Sequence, residues 1–235
     1  MSRILLLDTA TDICTVSLFE GDKCIAMHES GEDRSHAVQL AVYVEEVLKE
    51  SGFRVSDLNA IAVSKGPGSY TGLRIGVSTA KGLCYAANVP LISVSTLQAM
   101  CSGVNKEYLT ANNLHDFYFC PMLDARRMEV YTAFYRSDYT KHRDISAEII
   151  DDASFVDLLN EKPVVFFGNG AEKTKAHIKH KNAFYFDAYK HSSTYMLTQA
   201  TRKLEEKIFE DVAYFEPFYL KDFVATIPRK NILGR

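Results

Sequence analysis

Between two short apolar runs, Leu58 to Ser64 and Leu91 to Val94, the chain places Lys65-Gly66-Pro67-Gly68-Ser69 and then a helical stretch from about Tyr70 to Ala87. Strand, glycine-rich turn, helix and strand in that order predict helix-linked strands of one sheet. Asn88-Val89-Pro90 ends the helix, because proline cannot continue it. The helix constrains the fold further by its circumference. At about 100° per residue, Arg74, Ser78, Lys81 and Tyr85 share one narrow polar stripe, and the remaining positions are apolar or small. Such a helix is covered on more than one side. Gly72, Gly76 and Ala80 recur at every fourth position and form a flat seam that permits close contact.

Upstream, Ile4 to Leu7 and Cys14 to Phe19 read as strands, and Glu20-Gly21-Asp22 turns the chain into a third over Lys23 to His28. Asp33 to Ser51 has helical spacing and stops at Gly52. Three antiparallel strands followed by helix-linked strands predict a mixed sheet. The second half begins again, with a strand pair, Phe117 to Asp124 and Glu129 to Tyr135, around Ala125-Arg126-Arg127. A short helix over Ser154 to Asn160 and a strand over Val164 to Phe167 follow, and Gly168-Asn169-Gly170 is expected to open a helix. Thr194 to Phe209 reads as a long amphipathic helix, and the tail from Phe215 as irregular. The expected class is α/β, a mixed sheet with helices, with a boundary near residues 100 to 112.

The 235 residues suffice for a full core without metal or disulfides. Lys+Arg is 27 against Asp+Glu 30, a net charge of −3, which argues against a chain that grips nucleic acid by itself. Cys14, Cys24, Cys84, Cys101 and Cys120 form no CxxC pair, so free thiols in a reducing compartment are expected. Asp8 follows Met1 too soon for a signal peptide, and no apolar run reaches membrane-spanning length. The expectation is a cytoplasmic protein.

Asp8-Thr9-Ala10-Thr11 closes the first strand and reads two ways: a carboxylate orienting a metal-bound phosphate, or an Asx turn opening a hairpin. The Gly66 to Gly72 loop fits neither the dinucleotide nor the Walker pattern. Gly168-Asn169-Gly170 has the same ambiguity, serving a nucleotide or merely turning the chain. On the helix before the loop, Ala37, Leu40, Ala41, Val44, Val47 and Leu48 form the core stripe, while Val38 and Val42 lie on another face beside Glu45. The surplus on both helices predicts a partner surface. His36 is followed four positions on by Leu40, so no helical metal pair forms, and His177 and His180 sit among Lys173, Lys175, Lys179 and Lys181 as a solvated basic face.

Ile4 to Thr11 with its hairpin, and Gly66-Pro67-Gly68-Ser69-Tyr70-Thr71-Gly72-Leu73-Arg74-Ile75-Gly76, resemble the TsaB (YeaZ) family of bacterial tRNA threonylcarbamoyladenosine synthesis. Leu123-Asp124-Ala125-Arg126-Arg127-Met128-Glu129-Val130-Tyr131 is similar to that family's second signature, with Met128 in place of a usual glycine, and Glu216 to Leu220 matches its tail. The resemblance implies two actin-like (ASKHA) lobes, residues 1–104 and a smaller 105–235, and a subunit without catalysis or cofactor of its own. It implies binding to the catalytic homologue TsaD, with the ATPase TsaE joining, or a homodimer when alone, and tRNA met only through the complex. Threonylcarbamoyl would then pass to N6 of adenosine 37 in tRNAs reading codons that begin with A. The expected partner interface is Val38, Val42, Glu45, Gly72, Leu73, Gly76, Val77 and Ala80. Asp8, Thr9, Gly168, Asn169 and Gly170 would mark a vestigial nucleotide cleft. The rival expectation is an ATP-dependent kinase or acyl transferase using the cleft, and a plain tRNA-binding protein using Lys173 to Lys181 is a third.

Overall fold

A computed structural model describes residues 1–30 and 36–221. The first lobe runs β1 (Arg3–Asp8), β2 (Thr15–Glu20), β3 (Lys23–Glu29), α1 (His36–Ser51), β4 (Ala60–Gly66), α2 (Tyr70–Ala87) and β5 (Leu91–Ser95). Two short helices, α3 (Thr96–Met100) and α4 (Lys106–Ala111), lead to the second lobe. There follow β6 (Tyr118–Asp124), β7 (Glu129–Arg136), β8 (Lys141–Ile149), α5 (Val156–Glu161), β9 (Val164–Phe167), β10 (Ala183–Tyr185) and α6 (Leu197–Glu205).

The first sheet has the order β3-β2-β1-β4-β5 and the second β8-β7-β6-β9-β10. In each, the first three strands in sequence are antiparallel, the fourth pairs in parallel with the first, and the fifth pairs in parallel with the fourth. The two lobes therefore repeat one topology, that of the actin-like fold. Ile4-Leu5-Leu6-Leu7 explains why the first sheet is covered on both faces, since successive strand residues point to opposite sides. Leu5 and Leu7 pack with α1 and α2 residues such as Leu40, Val47, Val77 and Ala80. Ile4 and Leu6 pack on the other side with Ala99, Met196 and Ala200.

That second face shows how the lobes are joined. Leu97 and Met100 of α3 enter the core of the second sheet beside Phe119 and Phe167, whereas Ala99 faces the first sheet. The segment through α6 returns to the first sheet from the second half of the chain, so the lobes do not divide cleanly at one point in sequence. Thr194 to Phe209 is not one long helix: a 3-10 turn over Ser193–Met196 precedes α6, which ends at Glu205. Lys207 takes φ 56°, and the Ile208 amide donates to the Lys203 carbonyl, a left-handed helix stop. Gly168-Asn169-Gly170 opens only a 3-10 turn over Glu172–Thr174.

α2 has the limits its sequence predicts. Ser69 Oγ accepts the Gly72 amide at 3.2 Å as N-cap, and Asn88 closes the helix with φ 53°. The predicted start of α1 at Asp33 lies outside the described residues.

Candidate functional site

Asp8 ends β1 at the junction of the lobes and is fully buried. Its Oδ1 accepts the Ala10 amide at 2.9 Å, the Asx geometry expected of this motif. Its Oδ2 lies 2.9 Å from Nε2 of His191, itself buried, and the other ring nitrogen of His191 is 3.2 Å from the Tyr189 hydroxyl. Burial opposes ionisation of Asp8, yet the charge and hydrogen bond of His191, with the Ala10 amide and Ser64, hold the carboxyl below its ordinary value. Burial, reinforced by the charge of Asp8, pushes the Cys14 thiol up to about 12. The carboxylate expected to face a phosphate is thus already committed inside the chain. His191 lies 183 positions away and no local pattern marks it.

Thr9 is equally occupied. Its hydroxyl donates to the Gly72 carbonyl at 2.7 Å, and a Cβ on Gly72 or Gly76 would collide with Thr9 itself. The flat seam of α2 therefore serves a close approach to the end of β1 in the same chain. Gly72, Leu73, Gly76, Val77 and Ala80, expected at a partner interface, are all buried within the chain and present nothing to a partner. Sequence spacing gives the seam but not its neighbour, because a small-residue stripe admits a loop as readily as a helix.

Of the expected interface residues, α1 contributes the exposed ones. Val38 is 69% and Val42 44% exposed, with Glu45 exposed beside them. Ala37 and Ala41, expected in the core stripe, are exposed too, because the packed face of α1 is the narrower one of Gln39, Leu40, Val44 and Val47. The outer face of α2 is partly covered by the chain's own C-terminal segment. Lys81 Nζ donates to the Ala213 and Phe215 carbonyls at 3.1 and 2.9 Å, and the Tyr70 and Tyr219 rings meet at 4.7 Å.

Between the lobes lies a cleft of about 670 Å³. One wall is Ala10 to Asp12 and the start of α2, the other Leu123 to Arg126, Glu129, Tyr131 and Asn169, and Phe218 to Lys221 cross its mouth. The Phe218 amide donates to the Lys65 carbonyl at 2.7 Å, and Lys221 pairs with Glu129, so this segment ties lobe to lobe. Neither Asp8 nor Thr9 lines the cleft. Gly168 (φ 103°) and Gly170 press against β6, where a Cβ on either would clash with Met122 or Leu123, and Asn169 Oδ1 accepts the Asp124 amide at 3.0 Å. These three residues brace the β6 end, and only Asn169 reaches the cavity.

The β6–β7 turn carries a feature the sequence motif does not reveal. Arg126 and Arg127 adopt φ 72° and 48°, two consecutive side-chain-bearing residues in the left-handed region. Each such residue costs about 1–2 kcal/mol, which asparagine or glycine would largely avoid. The Arg126 amide donates to Asp124 Oδ1 at 2.8 Å, which fixes the turn. Burial works against the charge on Asp124, but the Lys173 ammonium at 2.5 Å, the Arg126 amide and nearby Arg126 keep the carboxyl low.

Among the described residues no group of His, Cys, Asp and Glu could hold a metal ion, and no helix is long and apolar enough to cross a membrane. Lys173 and Lys175 of the predicted basic face are paired, with Asp124 and with Glu172 and Asp187.

Comparison with known proteins follows this geometry closely. A protein-family model described as "TsaD: tRNA N6-adenosine threonylcarbamoyltransferase" matches residues 30–229. The tRNA threonylcarbamoyladenosine biosynthesis protein TsaB of Bacillus subtilis is 33% identical over 184 residues, 75% of each chain. The chain belongs to the TsaB family. The Escherichia coli TsaB is 39% identical over 58% of this chain, a match spanning 56% of its own length. The Haemophilus influenzae TsaB is 27% identical over 99% of this chain and 98% of its own. YeaZ from Pseudomonas aeruginosa superposes with a TM-score of 0.76 over 94% of this chain and all of that one, at 23% identity, so the two share one fold.

Proposed function

We propose that this TsaB-family chain is a non-catalytic subunit of tRNA threonylcarbamoyladenosine synthesis that docks through α1 onto a catalytic relative of the TsaD type. The observation carrying this reading is the apolar strip of Ala37, Val38, Ala41 and Val42, left uncovered on a helix whose opposite face is already packed. Val38 and Val42 leave much of their apolar surface to solvent, and a helix with a second apolar face calls for another surface. The ATPase TsaE would join the assembly, and a second copy of this chain would occupy the same strip when the relative is absent, in a cytoplasmic setting. The role is to hold the catalytic relative in an active arrangement, so the transfer chemistry resides in that relative.

The rival, an ATP-dependent kinase or acyl transferase, has the 670 Å³ cleft in its favour. Against it stands Asp8, whose carboxylate is bound to His191 rather than open to the cleft. Light scattering after size exclusion tests the main reading, on the chain alone and mixed with the catalytic homologue from the same genome. The expected result is a stoichiometric complex, lost with Val42→Glu at unchanged melting temperature. Two unchanged peaks at micromolar concentration, together with nucleotide turnover abolished by Asp8→Ala, would replace it with the enzyme reading.

A further inference from the structure

The cleft rim shows an imbalance of charge. Asp124 is matched by Lys173 and Glu129 by Lys221. Arg126, which lines the cleft, and Arg127, the next residue of the same turn, have no hydrogen bond or ion pair from their side chains among the described residues. Arg126 lies within electrostatic range of Asp124, which Lys173 already neutralises, and Asp12 on the far wall is the carboxylate left over. Both arginines are exposed at the tip of the β6–β7 hairpin, and both hold a backbone conformation that disfavours them. The hydrogen bonds that hold this turn, Arg126 amide to Asp124 Oδ1 and Glu129 amide to the Arg126 carbonyl, are made by backbone and would form with asparagine or glycine there as well, so they do not account for two arginines. A strained position kept by a costly residue points to a use outside the chain.

We propose that Arg126 and Arg127 contact phosphates of the RNA backbone, so that the chain touches tRNA directly at the mouth of the inter-lobe cleft. The guanidinium fork presents paired donors matched to phosphate oxygens. Exposure and fixed backbone hold both forks outward on a rigid hairpin, where a phosphate strand can pass without entering the cleft. The net charge of −3 leaves no general polycationic surface, so the contact is local and adds to grip supplied elsewhere. The choice of RNA over another polyanion rests on the reading given under Proposed function.

The test compares the full chain with the double variant Arg126→Asn/Arg127→Asn, since asparagine accepts the left-handed backbone and keeps the turn folded. Affinity for an unmodified tRNA transcript is measured by filter binding over a salt series, for the chain alone and for its mixture with the catalytic homologue. Light scattering on the same samples reports assembly. The expected result is unchanged assembly, a melting temperature at or above that of wild type because asparagine relieves the left-handed backbone, about three- to tenfold weaker tRNA binding, and a salt slope smaller by about 1 to 2. Arg126→Lys/Arg127→Lys should recover most of the slope but only part of the affinity. Equal affinity and slope for wild type and the asparagine variant would overturn the proposal, whether or not the mixture assembles. Loss of assembly at unchanged tRNA affinity would also overturn it, by assigning the arginines to an acidic protein surface. Failure of the wild-type mixture to assemble would instead count against the subunit reading, with the tRNA comparison still decided on whichever sample binds.

Discussion

Asp8 Oδ2 and His191 Nε2 lie 2.9 Å apart in the buried junction between a strand end of the first lobe and a segment returning from the second. Around them Ser193 donates its amide to Thr15 Oγ1 at 2.7 Å, and Ser17 and Ser193 hydroxyls meet at 2.9 Å. The pair is therefore the centre of a polar seam that fixes how the chain closes on itself. Replacing His191 with alanine leaves a buried carboxylate without its partner. The expected cost is about 3–5 kcal/mol in urea unfolding, with Asp8→Asn costing less because the amide can still bond to the ring.

Acid should act through the same carboxylate. Asp8 is held below its ordinary value in the folded chain, so the unfolded chain binds the extra proton first as pH falls. Its stabilisation is complete above the unfolded carboxylate value of about 3.9 and is lost as pH drops through the folded value. His191, Tyr189 and Cys14 are the other titratable groups facing it. Unfolding free energy measured from pH 6 downward should fall more steeply for wild type than for Asp8→Asn. Parallel curves would remove Asp8 from the account.

Much of this architecture is legible in the chain. Ile4-Leu5-Leu6-Leu7 announces a strand buried on both sides, and Ser69 and Asn88 mark the ends of α2, because both signals are local. The second sheet's edge is harder to read. β8, Lys-His-Arg-Asp-Ile-Ser-Ala-Glu-Ile, lies at the sheet edge with half-exposed side chains and lacks a clean apolar alternation. The Asp8–His191 pair is invisible for another reason: its partners meet only after both lobes have formed. The glycine seam shows the third limit, since spacing identifies a close approach without saying what approaches.

That seam makes opposite predictions for two glycines of one helix. Gly76→Leu would drive its side chain into Thr9 and Val63, so the fold itself should suffer, by about 1–3 kcal/mol or more. Gly82 has open space around its Cβ position, and Gly82→Ala should stabilise by about 0.5–1 kcal/mol through helix propensity. Thermal melts of the two variants check both signs. A stable, monodisperse Gly76→Leu chain would return the seam to the surface.

The C-terminal segment should loosen when its aromatic anchor is removed. Tyr219 meets Tyr70 at 4.7 Å, next to the Phe218 amide that donates to Lys65. Loss of a ring pair costs about 0.5–1.5 kcal/mol beyond its buried area. In Tyr219→Ala, hydrogen exchange at the Phe218 amide should quicken while the β1 and β4 amides stay protected. Uniform acceleration would mean that this segment unfolds only with the whole lobe.

Thiol chemistry offers a direct check on burial. Cys14 and Cys84 are buried, with burial the leading cause that pushes both thiols up to about 12, and Cys101 and Cys120 are buried and raised as well. Cys24, on the edge strand β3, is exposed, although partial desolvation raises it too. Since the thiolate is the reactive form and must be reached by the reagent, Cys24 is the thiol whose exposure lets it react in the folded chain. Titration of the native chain with an aromatic disulfide reagent near pH 8 should release one equivalent quickly and the other four only on denaturation. Cys24→Ser should abolish the fast phase. A second fast thiol would show that one part of the core opens without global unfolding, and the reactive cysteine would identify which.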